Sequence, residues 1–269
     1  MTTLVVGNAD YRVSLGRVVR SEWTKLRSLR STWTVLGIMV VLSVGLAIFA
    51  GWAYDQRIAD GEVAPTAAGA VNSAFLGLDL FGLIIGVLGV LQMSGEYSAG
   101  LIRATLAAVP RRLPVLWAKA IVLGGLAFPV MLLGGVVSFL LVDALAGSDG
   151  TGLGESGVLR SIFGAAGYAT GVGLLGLGIG ALARHTAGAI VALVVALLVV
   201  PSFMLVLPES SRDIVGPYLP VVAGQAMFSL DASGQPVDLL APGIGALVLV
   251  GWVVLVLGAA AAILHRRDA

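Results

Sequence analysis

The chain has 269 residues, of which 58% are hydrophobic and only 12% are charged. Soluble domains carry about 25% charged residues, so this composition excludes a sizeable soluble domain. The net charge of +1 says little about partners, but the absence of cysteine excludes disulfides, thiolate metal sites and a cysteine nucleophile.

The first predicted element is an amphipathic helix over residues 13–32. Such a helix lies in the membrane interface with its basic face toward anionic headgroups. A basic tail that only sets the orientation of the chain is the alternative. Glu22 falls within the apolar stripe, where it either pairs with Lys25 one turn on or faces a protein partner. The stripe, spaced by three or four residues, consists of Leu15, Val18, Val19, Trp23, Leu26, Leu29 and Trp33.

Six long uncharged stretches follow, and we expect each to form a transmembrane helix. About 20 apolar residues in a helix cross the roughly 30 Å hydrocarbon core of a bilayer. Five stretches meet that length, and the second meets it if Asp79 is accepted near one end. The predicted spans are 33–54, 75–95, 114–142, 161–183, 186–207 and 241–264.

Asp79 is the one acid that falls inside a predicted span. A charge at the centre of a helix costs about 2.5–3.5 kcal/mol on insertion scales, and the cost falls toward the ends. Asp79 lies about one turn from the end of the second span, which favours a hydrated acid in the interface. A proton or cation site is the alternative.

The segment between the second and third spans, residues 96–112, is the most distinctive polar region. It reads as a short helix from about Ser98 to Val109 that ends at Pro110. Its apolar residues suggest a docking surface on the cytoplasmic side. The alternative is a hairpin that lies on the headgroups, with Arg111 and Arg112 as topology anchors.

Glycines in the fourth span predict close helix packing. Gly167 and Gly171 are separated by four residues, and so are Gly176 and Gly180. Small residues at this spacing let helix backbones approach closely in lipid.

The region before the last span, residues 209–240, is not an ordinary loop. Residues 214–230 are uncharged and include Gly216, Pro217, Pro220 and Gly224. The stretch is too short and too broken to form a further span, so we expect a re-entrant or interfacial hairpin on the external side. Irregular backbone of this kind is stable at membrane depth only where protein or water covers its polar groups.

The distribution of basic residues orients the chain. Alternate connections place all but three of the 16 lysines and arginines on one side, the exceptions being Arg57, Arg160 and Arg212. By the positive-inside rule both termini should face the cytoplasm.

Several classes of chemistry are not expected. Neither lysine of the chain follows a glycine, so the chain has no P-loop and is not itself an ATPase of that class. His185 and His265 are far apart in sequence, and we expect no metal site. No catalytic residue and no bound cofactor are predicted. Asp79 is not accompanied by a buried chain of acids, which disfavours a proton-coupled carrier, so energy for any transport would have to come from elsewhere.

Three parts of the sequence resemble the membrane subunit of a type-2 ABC transporter, in the group common in actinobacteria. Residues 21–27, Ser-Glu-Trp-Thr-Lys-Leu-Arg, resemble the interface helix of that group. The Pro/Gly-broken stretch before the last span resembles its external gate. The segment after the second span is matched by Gly95, Glu96, Tyr97, Gly100, Arg103, Thr105, Leu106, Pro110 and Arg111.

The resemblance implies that a separate cytoplasmic ABC ATPase, which holds ATP and Mg²⁺, binds the interface helix and the short helix after the second span. Two membrane subunits, identical or related, pair with two ATPase subunits, and ATP binding drives alternating access and outward movement of substrate. Arg103 would hold Glu96, Glu22 or a carboxylate of the ATPase. The implied coupling surface comprises Glu22, Lys25, Glu96, Tyr97, Gly100, Arg103, Thr105, Pro110 and Arg111.

The sequence therefore predicts a single all-α transmembrane domain over residues 1–269, located in a bacterial plasma membrane. The predicted function is the permease subunit of an ATP-driven exporter; a non-transporting membrane scaffold or sensor subunit is the alternative. The sequence does not identify the substrate, which could be a small molecule, a lipid or a peptide. The few polar side chains in the spans favour a hydrophobic or amphipathic cargo. Nucleic acid is not an expected partner.

Overall fold

A computed structural model of the chain describes residues 14–98, 113–147, 150–204, 206–231 and 237–266. Within these ranges the chain is helical and contains no β-strand, which confirms the predicted all-α class. Six helical stretches in the described part of the chain are long and apolar enough to cross a membrane, which confirms the predicted number of spans. They are Arg30–Ala59, Ala67–Glu96, Leu113–Leu145, Val158–Ala183, Thr186–Met204 and Pro242–His265.

The helices are numbered here in chain order. The N-terminal half comprises α1 (Leu15–Ser28), α2 (Arg30–Ala59), α3 (Ala67–Ala74), α4 (Leu78–Ser98) and α5 (Leu113–Leu145). The C-terminal half comprises α6 (Val158–Ala183), α7 (Thr186–Met204, π-helical over Val195–Val199), α8 (Glu209–Val215), α9 (Pro220–Phe228) and α10 (Pro242–Arg266).

The N-terminal helix is shorter than its apolar stripe suggests. The Ser14 hydroxyl caps α1 by accepting from the Arg17 N–H, and the helix ends where Leu29 adopts an extended conformation. Trp33 therefore belongs to α2, and its indole Nε1 donates to the Arg27 carbonyl at 3.0 Å. That bond satisfies one of the carbonyls left unpaired at the end of α1. The location of α1 at a membrane interface stays a prediction.

The second span is interrupted near its start. Residues 75–77 form a turn between α3 and α4. Gly77 lies there at φ +84°, a left-handed conformation that side chains with a Cβ rarely adopt. The turn places Asp79 in the first turn of α4.

The glycine-rich helix α6 lies at the centre of the molecule. In α6, 72% of the residues in its apolar membrane-length segment are buried, whereas the corresponding shares in α7 and α10 are 17% and 22%. Helices α4, α5, α9 and α10 pack around it. The exposed apolar faces of α7 and α10 are typical of helices that contact lipid.

The predicted packing glycines of α6 face three different helices. A Cβ at Gly176 would overlap the Gly86 backbone of α4, and one at Gly180 would lie 2.9 Å from the Val90 carbonyl oxygen. Gly171 faces Leu249 of α10, and Gly167 faces Met227 of α9. At Gly176 and Gly180 the neighbouring atoms belong to the α4 backbone, so the absence of a side chain there allows the two helix axes to approach.

The region before the last span folds into short helices. A 3₁₀ turn, Gly216–Tyr218, joins α8 to α9, and Pro220 occupies the first turn of α9, where its missing N–H is not needed. The α9 backbone packs closely on α6, because Gly224 lies against the Tyr168 ring and Gly164 against the Met227 carbonyl. Its re-entry into the membrane stays a prediction.

Candidate functional site

Two polar clusters join helices at opposite ends of α4. The ion-pair cluster comprises Glu22, Lys25, Glu96 and Lys119. The aspartate cluster comprises Asp79, Tyr168 and Gln225.

The buried face of α1 positions the first members of the ion-pair cluster. Val18 of α1 packs against Val115 and Ala118 of α5, so the residue one turn later, Glu22, also points toward α5. Lys119 lies in the second turn of α5 and is buried. Glu96 lies near the end of α4.

Four short contacts connect the charges in alternation. Lys119 Nζ lies 2.7 Å from Glu22 Oε2 and 2.8 Å from Glu96 Oε1. Lys25 Nζ lies 2.7 Å from Glu22 Oε1 and 3.0 Å from Glu96 Oε1. Two cations and two carboxylates make the cluster neutral, and each lysine bridges both acids.

Burial makes these contacts significant. The side chains of Lys119 and Glu22 are only 2% and 3% exposed, and that of Glu96 is 13% exposed. A charge taken out of water is costly unless an opposite charge compensates it, so removing one partner from such a group destabilises the fold. Glu96 Oε2 is also buried, and it has no hydrogen-bond partner among the described residues.

Lys25 is the accessible member of the cluster, with a side chain 43% exposed. Partial burial would lower its pKa, but the hydrogen bonds and the charge attraction from Glu22 and Glu96 outweigh burial and raise the pKa above the usual lysine value of 10.5. Lys25 therefore remains protonated at physiological pH.

The cluster ties three helices together next to the segment predicted to couple to an ATPase. Glu96 lies just before residues 97–112, and α5 begins just after them at Leu113. Lys119 joins α5 to both α1 and α4. Lys119 therefore joins α1, α4 and α5 at this end of the spans.

The structure brings together three of the residues assigned to the coupling surface, namely Glu22, Lys25 and Glu96. Glu22 faces α5 inside the subunit, so it contributes an internal contact, and Lys25 is the most exposed of the three. Tyr97 lies in α4, but its side chain is outside the described part. The short helix was predicted to begin at about Ser98, but Ser98 is the last residue of α4. The rest of that prediction lies outside the described residues, as do Gly100, Arg103, Thr105, Pro110 and Arg111.

Sequence reasoning missed the role of Lys119, which it counted only among the basic residues of the cytoplasmic side although the residue falls within the predicted third span, 114–142. The structure places Lys119 inside α5, because that helix already begins at Leu113 and includes Pro114 in its first turn. A signal was present: Lys119 is one of only two lysines in the chain and lies within an otherwise apolar helix start.

The aspartate cluster lies at the opposite end of α4. Asp79 Oδ1 accepts a 2.7 Å hydrogen bond from the Tyr168 hydroxyl of α6. Asp79 Oδ2 accepts a 3.1 Å hydrogen bond from Gln225 Nε2 of α9. Asp79 is half-buried and both of its oxygens have protein donors, so it links α4, α6 and α9. Neither donor was identified from the sequence.

Arg160 makes a second connection between α6 and the end of α9. Its guanidinium donates to the Met227 carbonyl at 3.0 Å and to the Ser229 carbonyl at 3.1 Å. These carbonyls lie where the helix leaves backbone acceptors unpaired. Together with the aspartate cluster, Arg160 fixes α9 against α6.

Comparison with known proteins identifies one family. A family model described as "ABC-2 family transporter protein" matches residues 18–204. The matched range includes the whole ion-pair cluster and also Asp79 and Tyr168, and it ends before α8. No curated protein matches the chain.

Proposed function

The chain belongs to the ABC-2 family of transporter proteins, and on this premise we propose that it is the permease subunit of an ATP-driven exporter. A second membrane subunit, identical or related, completes the substrate path. A separate cytoplasmic ABC ATPase binds ATP with Mg²⁺ and supplies the energy. Both termini face the cytoplasm of a bacterial cell, and the spans lie in its plasma membrane.

The ion-pair cluster is the observation that carries this proposal. An ATPase that moves α1 or residues 97–112 needs a firm link to the spans, and Lys119 provides one by bridging Glu22 and Glu96. Separating the helices would leave charges buried without partners, which costs about 3–5 kcal/mol. The three helices therefore move together. Glu96 Oε2 has no hydrogen-bond partner within the described ranges, and we propose Arg103 as its donor.

Helix α4 extends the link to the external side. Asp79 and Glu96 are 17 residues apart on this helix, which corresponds to about 26 Å along the axis. Glu96 is held by the ion-pair cluster, and Asp79 is held by Tyr168 and Gln225. In the proposed cycle, α4 carries the movement produced by ATP binding to α9, which opens the external side.

The test is purification of the tagged chain in mild detergent, with its partners identified by mass spectrometry. We expect a P-loop ATPase to co-purify with the native chain. Lys119→Met should lower its yield by releasing α1, while Arg57→Met, an exposed ion-pair residue at the other end of α2, should not. Absence of any P-loop protein would contradict the proposal. If the co-purified ATPase hydrolyses ATP at a rate that no candidate cargo increases, the scaffold or sensor alternative is favoured.

A further inference from the structure

A cleft opens between α2 and α4 at the end of the spans that carries the ion-pair cluster. Helix α2 packs along α5 but makes few contacts with α4, so a groove remains between them. The cavity within the cleft measures about 110 Å³ and is bounded on one side by Leu29, which connects α1 to α2. We call it the Gln92 cleft, and it is lined by Leu29, Leu36, Leu88, Gln92 and Leu123, among others.

Gln92 is the unusual residue of this cleft. Both of its amide atoms, Oε1 and Nε2, are buried, and neither has a hydrogen-bond partner among the described residues. Buried amides are almost always hydrogen-bonded, because losing water without a replacement is unfavourable. An amide that can donate and accept, set among apolar side chains, is typical of a ligand site.

The lining also defines the charge of a ligand. The polar side chains that line the cleft are Ser31, Thr32 and Gln92, and no charged residue of the described part contributes to it. A charged ligand group would therefore be buried without a counter-charge.

We propose that the Gln92 cleft binds a neutral single-chain amphiphile taken from the surrounding membrane leaflet. Its apolar chain packs against the leucines, and its hydroxyl or amide headgroup exchanges hydrogen bonds with the Gln92 amide. This inference rests on the proposed function, in which the amphiphile is the cargo and the cleft receives it on the cytoplasmic side.

The position of Gln92 connects binding to the ion-pair cluster. Glu96 follows Gln92 by four residues, so the two lie on the same face of α4 about 6 Å apart along its axis. A bound amphiphile therefore contacts α4 one turn from the residue that Lys119 holds. Farther along α2, a second, smaller pocket is lined by Met39, Leu78 and Met131, and Leu78 precedes Asp79 of the aspartate cluster.

The experiment uses the full complex in nanodiscs and a monoacylglycerol that carries a diazirine in its acyl chain. After irradiation, labelled peptides are mapped by mass spectrometry. We expect labels within residues 26–36, 85–92 and 123–127. Val35→Phe, which fills the cleft, should reduce them at least about fivefold, since a bulky side chain in a preformed site displaces the ligand. The matched control is Val41→Phe on the same helix, where Val41 is 71% exposed and does not line the cleft.

A second variant tests the headgroup contact. Gln92→Leu should reduce labelling by the monoacylglycerol about tenfold, the loss expected for one or two buried hydrogen bonds. Labelling by a diazirine fatty-acid methyl ester, which has no hydroxyl donor, should change less than twofold by the same reasoning. Leucine removes a buried amide that has no hydrogen-bond partner in the described part of the chain, so the variant should fold at least as stably as the native chain.

Labels confined to lipid-facing residues of α7 and α10, or equal losses in Val35→Phe and Val41→Phe, would overturn the inference. So would monoacylglycerol labelling that Gln92→Leu leaves unchanged. If the ATPase co-purifies while the cleft stays unlabelled, this inference fails and the permease proposal survives. If the cleft is labelled but no ATPase is present, the permease proposal fails instead.

Discussion

Replacing Lys119 by methionine tests the ion-pair cluster at its most buried point. Methionine keeps the length and apolar stem of the lysine side chain and removes only the charged amine. The change leaves Glu22 and Glu96 close together with Lys25 as their one remaining counter-charge. Because Lys25 is much more exposed than Lys119, it compensates the buried carboxylates only in part.

The magnitude follows from the two contacts that are lost. At an effective dielectric constant of about 20, unit charges 2.7 Å apart attract by about 6 kcal/mol, and Lys119 makes two contacts of this length. Desolvation of the buried amine offsets most of this attraction. Breaking buried pairs by removal of one partner costs about 3–5 kcal/mol net, so we expect a loss of that size.

The assay is thermal unfolding of the purified chain in detergent, followed by tryptophan fluorescence. At roughly 2–4 °C per kcal/mol, Lys119→Met should lower the midpoint by about 6–20 °C. The control Arg57→Met removes an exposed contact to Glu62 of 3.4 Å, which is worth at most about 1 kcal/mol. Adding Glu22→Gln to Lys119→Met should recover part of the loss, because it removes one uncompensated carboxylate. Equal shifts for Lys119→Met and Arg57→Met would refute the reasoning.

Three further predictions concern other parts of the molecule. Tyr168→Phe removes one of the two donors to Asp79 and should destabilise the chain by about 1.5–3 kcal/mol in the same thermal assay, whereas Tyr218→Phe at an exposed position should have no measurable effect. Gly176→Ala, which forces a methyl group onto the Gly86 backbone, should cost about 1–3 kcal/mol; Gly125→Ala, with open space around it, should be neutral or slightly stabilising, and equal effects would contradict the packing argument. Because the pKa of Lys25 is raised, its contribution to stability is fully present below the usual lysine value of 10.5 and is lost only as the pH rises through the higher folded-state pKa, so the thermal midpoint difference between native chain and Lys25→Met should stay constant from about pH 6 to about pH 9; a decline within that window would contradict the assigned pKa direction.

The membrane-spanning architecture was predictable because it depends on local composition. An uncharged stretch of about 20 residues has few alternatives to a membrane helix, and the six spans follow directly from six such stretches. The start of the second span was less predictable. Hydropathy does not distinguish a continuous helix from α3 and α4 separated by a turn, and the left-handed Gly77 is evident only from the backbone.

The clusters were harder to foresee because their members are distant in sequence. Glu22 and Lys119 are separated by 97 residues, and Asp79 and Gln225 by 146. Sequence spacing identifies partners one helical turn apart, such as Glu22 and Lys25, but it cannot show which helices become neighbours. Glu22 was recognised as anomalous within an apolar stripe, and the structure shows that the anomaly marks the contact with α5.

The glycines of α6 illustrate an intermediate case. Their spacing predicted close approach of helices, but not which helix each residue would face. Gly176 and Gly180 face α4, whereas Gly167 and Gly171 face α9 and α10. A repeated spacing defines one face of a helix for a few turns, and the partner on that face depends on the whole arrangement.

The central claim is that a separate ATPase acts on this chain at the ion-pair end of its spans. The chain has no cysteine, so a single introduced cysteine can carry a maleimide-linked photoreactive crosslinker at one defined position. We predict an ATPase adduct from Ser28→Cys at the exposed end of α1, and none from Glu62→Cys, an exposed position in the turn that follows the opposite end of α2. An adduct from Glu62→Cys, or no ATPase adduct from Ser28→Cys in the intact complex, would contradict the account.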